Sequence, residues 1–149
     1  MEFNITSQND RDILQLNEPH IPLLFLIDTA GSMHGEPIRR LNSGIIRLIE
    51  LLSKSDYAKV IDLAVVAFSD HAEVIRSFLP SKVCSEIAIE AYGPTNLGAG
   101  LQTALDEVYK RRRKYMEYGV LYYKPRIILI TDCNFVSNLP ILQEMVKGP

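Results

Sequence analysis

The chain has 149 residues, 47% hydrophobic and 23% charged, with a formal net charge of −2 at pH 7. A single domain of this size buries about 68–70% of its unfolded surface, and the composition is that of an ordinary globular protein. The charge offers no general attraction to nucleic acid or an anionic membrane, and no apolar run approaches the ~20 residues of a membrane span.

The first twenty residues, MEFNITSQNDRDILQLNEPH, are polar and acidic, unlike a secretory signal. They read as a lead-in that Asn17-Glu18-Pro19-His20 turns into the first strand. Asn4-Ile5-Thr6 matches a glycosylation acceptor, but without a secretion signal it reads as chance. Cys84 and Cys133 form neither a disulfide framework nor a zinc pattern, and a cytoplasmic location is expected. His20, His34 and His71 are scattered without metal-ligand spacing.

PLLFLID (22–28) is continuously apolar, as in a strand covered on both faces. The period then changes: Ile38, Leu41, Ile45, Leu48, Ile49 and Leu52 fall on one helical face over 35–55, with Pro37 in the first turn. VIDLAVVAFSD (60–70) is a second apolar strand, and 71–80 follows so closely that a hairpin to an edge strand is the simplest link. The mixed stretch 81–100 has room for a short helix before a Gly/Pro-rich turn. Helical spacing returns over 96–119 through Leu97, Leu101, Leu105 and Val108, and Gly119 can end it. PRIILITD (125–132) is another buried strand, and 137–148 suits a final short helix.

This order predicts a Rossmann-like α/β fold: an open, mainly parallel sheet with an antiparallel edge hairpin and helices on both faces. It occupies 21–149, after a lead-in at 1–20. In such sheets ligands bind beyond the carboxyl ends of the strands. Three segments should meet there: DTAGS (28–32), GPTNLG (93–98) and Thr131-Asp132. Their carboxylates and hydroxyls are hard oxygen donors, suited to magnesium, which keeps several waters and needs few protein ligands. Taken singly, Asp28 also suits a turn, and Thr95 and Asn96 suit a helix cap.

FLIDTAGSM (25–33), GPTNLGAGL (93–101) and ILITD (128–132), in that order, resemble the von Willebrand factor type A domain and its metal-ion-dependent adhesion site. The likeness covers roughly residues 20 to 135, where the matching α/β units run. It is strongest to bacterial cytoplasmic members associated with tellurite resistance, through Gly35-Glu36-Pro37-Ile38 and the approach YGVLYYKPRIILITD (118–132). The family's D-x-S-x-S falls on Asp28, Ala30 and Ser32, its threonine on Thr95 and its last aspartate on Asp132. The resemblance implies a metal set of Asp28, Ser32, Thr95 and Asp132. Hydroxyls would bind Mg2+ (or Mn2+) directly, the aspartates largely through water, and a carboxylate of a protein partner would complete the octahedron. Such domains bind rather than catalyse.

Ala30 removes one hydroxyl ligand and Cys133 replaces a frequent glycine, so a weakened metal site is expected. A metal-free scaffold that binds through its surface is the alternative. A magnesium-dependent aspartyl phosphatase of the haloacid dehalogenase type would need an acid/base aspartate where Ala30 stands. GPTNLGAG lacks the Lys-Ser/Thr pair of a phosphate-binding loop. The basic run YKRRRK (109–114) reads as a solvated helix face rather than a nucleic-acid site. The resemblance also implies further strand–helix units after ILITD, so 126–131 is expected to form an apolar sheet edge. Either two copies pair through that edge as a homodimer or the shortened chain aggregates.

Overall fold

The apolar run after the lead-in forms β1 (Ile21–Asp28) at the centre of a four-stranded sheet. The computed structural model describes Ile13 and residues 15–84, 87–91 and 93–131. After β1 come α1 (Glu36–Ser53), β2 (Ile61–Phe68), β3 (Ala72–Pro80), α2 (Leu97–Tyr118) and β4 (Arg126–Ile130). The strand order is β3-β2-β1-β4. β1 runs parallel to β2 and β4, and only β2 and β3 pair antiparallel, as the short 68–72 link requires.

Side chains alternate across the pleat and build a core on each face. Phe25 and Ile27 of β1 join Leu63, Val65 and Ala67 of β2 under Ile38, Ile45 and Ile49 of α1. Leu24 and Leu26 join Ala64, Val66 and Phe68 under Leu97 and Ala104 of α2. Apart from Asp62 near the start of β2 and Asp28 at the end of β1, both strands therefore read as apolar runs, because every second residue serves a different helix. Pro37 stands in the first turn of α1. Asn96 caps α2 by accepting from the Ala99 N–H, and Gly119 ends it in the left-handed conformation at φ 66°.

Three expectations need correction. Among the described residues, 81–100 holds no helix before α2 beyond one 3-10 turn at Ser81–Val83. Residues 87–91 run irregularly, and the Asn42 side chain satisfies both backbone groups of Ile89, accepting from its N–H at 2.9 Å and donating to its carbonyl at 2.7 Å. The basic run of α2 is not wholly solvated: Arg111 is buried and donates to the Asp62 carboxylate at 2.8 Å. Finally, β4 is not a buried strand among the described residues. Only β1 pairs with it, and Ile128 and Leu129 stay 40% and 41% exposed. The helix expected at 137–148 lies outside the described residues.

Candidate metal site at the strand tips

The chain passes from β1 to β2 on one side of the sheet and returns to β4 on the other, so the order reverses at the carboxyl end of β1. Asp28 is the last residue of β1 and is fully buried. Its Oδ1 accepts from the Ala30 N–H at 2.9 Å, and its Oδ2 accepts from the Thr131 hydroxyl at 2.7 Å. None of the ion pairs among the described residues involves Asp28. A buried carboxylate without a cation costs several kcal/mol unless something offsets its charge, about the effective penalty per buried ion. Two hydrogen bonds leave free lone pairs on both oxygens.

The three loops meet through backbone and side-chain bonds. The Gly31 N–H donates to the Gly93 carbonyl at 2.8 Å, joining the first loop to the second. Asp28 and Thr131 join the first to the end of β4. The Asn96 N–H donates to the Ser69 carbonyl at 2.5 Å, fixing the second loop against the tip of β2. Thr29 turns inward instead of toward a ligand: its hydroxyl and N–H both donate to the Phe68 carbonyl, at 3.0 and 2.8 Å. Gly93 has φ 77°, a backbone conformation that L side chains rarely adopt.

Of the four residues expected to hold metal, Asp28 stands buried at the strand tip, Ser32 is exposed in the 3-10 turn Gly31–Met33, and Thr95 is half-buried directly before the cap of α2. Asp132 lies outside the described residues, as does Cys133. Ala30 is buried, so no acid/base side chain stands two residues after Asp28. Among the described residues no three His, Cys, Asp or Glu side chains gather into a metal cluster. Hydroxyl donors would therefore have to supply the rest.

Thr131, expected with Asp132 at this edge but outside the expected metal set, orients Asp28 through its hydroxyl. One neighbour goes beyond the sequence reading. Asp70, just beyond β2, faces the same loops, with its Oδ1 3.6 Å from where a side chain at Gly93 would begin. It accepts from the Ser69 hydroxyl at 3.2 Å and pairs with His71 at 2.6 Å. The His71 hydrogen bond, above all, lowers the Asp70 pKa from its ordinary value. The signal is in the sequence: the run VVAFSD (65–70) reaches an aspartate two residues beyond the end of β2.

A family model for the von Willebrand factor type A domain matches residues 23–134. The chain belongs to this family. No curated protein sequence matches it. Among solved structures, the domain resembles the pilus adhesin SpaC of Lactobacillus rhamnosus GG in an open conformation, with TM-score 0.65 and 14% identity over 80% of this chain and 15% of that one. The von Willebrand domain of a type V pili tip protein from Porphyromonas gingivalis gives 0.52 and 18%, over 81% and 43% of the two chains. The SpRpn10 von Willebrand A domain gives 0.56 and 12%, over 87% and 68%. At these identities the likeness shows the fold, and this chain spans less than half of each pilus protein. Among the described residues no helix is long and apolar enough to cross a membrane.

Proposed function

We propose that this domain is a protein-binding module whose docking point is the cluster of loops at the carboxyl ends of β1 and β4, and that it binds a weakly held divalent cation there. One observation carries the reading: three loops from distant parts of the chain are tied around a buried Asp28 carboxylate that has hydrogen bonds but, among the described residues, no ion pair. Asp28, Ser32, Thr95 and Asp132 would hold Mg2+ or Mn2+, all through hard oxygens. When bound, the ion supplies a coordination position for a carboxylate offered by a protein partner. The pilus adhesin and pili tip protein among the structural neighbours support binding rather than catalysis. So does Ala30, which leaves an aspartyl phosphatase without its acid/base group.

Ala30 also favours a second reading, in which the same loops bind a partner without metal. Calorimetric titration with magnesium and manganese separates the two. The unaltered domain should bind weakly. Ala30→Ser should bind at least ~10-fold more tightly, by analogy with the 10–100-fold effects of groups around a metal. Asp28→Ala should not bind. Silence from both the unaltered domain and Ala30→Ser would establish the metal-free reading.

A further inference from the structure

At the opposite end of the sheet lies a second buried polar cluster, unrelated to the strand tips. His20 immediately precedes β1 and is completely buried, as is Asp62 at the start of β2. One carboxylate oxygen, Asp62 Oδ2, receives His20 Nδ1 at 2.7 Å, Arg111 Nη2 at 2.8 Å and the Tyr115 hydroxyl at 2.5 Å. The other imidazole nitrogen, Nε2, lies 2.7 Å from the Gln15 backbone carbonyl in the lead-in. A carbonyl oxygen can only accept, and a carboxylate that already receives a guanidinium and a phenol is also an acceptor. A neutral imidazole has one N–H and can satisfy only one of these two contacts. The geometry demands both protons.

We propose that His20 is a proton-controlled latch, tying the lead-in at Gln15 to the base of the sheet while charged and releasing it when neutral. On losing one proton the ring keeps Nδ1–H, because the carboxylate is the stronger acceptor. Nε2 then presents a lone pair to the Gln15 carbonyl, and that contact is lost. Everything facing the ring bears on this balance. Asp62 of β2 favours the charge, Arg111 of α2 opposes it, and Tyr115 of α2 holds Asp62 in place while stacking on Tyr122 at 4.8 Å. In the lead-in, the Gln15 carbonyl favours the charge, and Glu18 accepts from the Gln15 side chain at 3.4 Å. The His20 N–H donates to the Leu121 carbonyl at 2.9 Å and its carbonyl accepts from the Tyr123 N–H at 2.8 Å, holding the histidine itself whichever state the ring takes.

Burial is the largest single influence on His20 and lowers its pKa, but the Asp62 hydrogen bond and charge with the Gln15 carbonyl outweigh it, leaving the pKa above the ordinary 6.5. A folded value above the unfolded one means that the latch's contribution is complete below pH 6.5 and is lost as pH rises through the folded value. The test is an NMR titration of the unaltered chain from about pH 5 to 9, where imidazoles change charge. It follows the three histidine rings and the Gln15 carbonyl carbon. The latch predicts a His20 midpoint above 6.5, with the Gln15 carbonyl shifting at the same midpoint and independently of His34 and His71. A His20 midpoint at or below 6.5, or a Gln15 carbonyl that does not follow it, overturns the proposal. In His20→Gln the Gln15 titration should vanish, and its persistence at the same midpoint would equally overturn it.

Discussion

Asp28 and Asp62 are both fully buried aspartates, and the difference between their surroundings separates their roles. Asp62 is compensated by Arg111 and His20 within the chain. Among the described residues Asp28 has hydrogen bonds and no ion pair, one bond from a backbone N–H and one from Thr131. Asp28→Asn can keep both contacts, since an amide oxygen accepts from Ala30 and its NH2 can donate to the Thr131 oxygen. Without divalent ions its unfolding free energy should therefore stay within about 1 kcal/mol of the unaltered domain, the net worth of a typical hydrogen bond. With magnesium at 100 times its dissociation constant, the unaltered domain should gain about 2.7 kcal/mol and the variant nothing. Urea unfolding with and without magnesium reads both quantities, and an equal magnesium gain in Asp28→Asn would remove Asp28 from the site.

Among the elements, α2 connects the site to the core. Its start is pinned by Asn96, and Gly100, one turn later, lies so near Phe68 that an added Cβ would stand 2.7 Å from the ring. Phe68 is fully buried, and its carbonyl receives both bonds from Thr29. Gly100→Ala must push helix and strand apart, an overpacking cost of about 1–3 kcal/mol that should appear as a lowered urea midpoint. An unchanged midpoint would mean that α2 is free to shift on the sheet. The extent of α2 was legible because both ends carry their own signals, a capping Asn and a terminating Gly. The three parallel strands were legible because their apolar runs give way to polar residues at or just after their ends: Asp28, Ser69-Asp70 and Thr131. Arg111 was not, because a helical stripe assigns faces by residue type, and its partner Asp62 lies 49 residues away. Thr131 was legible as part of the edge, but not its bond to Asp28, 103 residues distant.

For the whole molecule, β4 is the outer strand among the described residues and carries half-exposed Ile128 and Leu129. An apolar edge with unpaired N–H and C=O groups invites another strand. The expected pairing of two copies through residues 126–131 therefore stays a proposal, and light scattering over a dilution series tests it. A dimer that dissociates on dilution supports it, and a monomer at every concentration refutes it. The central claim concerns the other end of the molecule, where three loops gather around a buried carboxylate. The most direct measurement is an amide NMR spectrum recorded as magnesium is added to the unaltered domain. The account predicts shifts centred on residues 28–33, 93–96 and 131–132, with the His20–Asp62 end unmoved. A spectrum without shifts there, or with its largest shifts around His20 and Asp62, would contradict it.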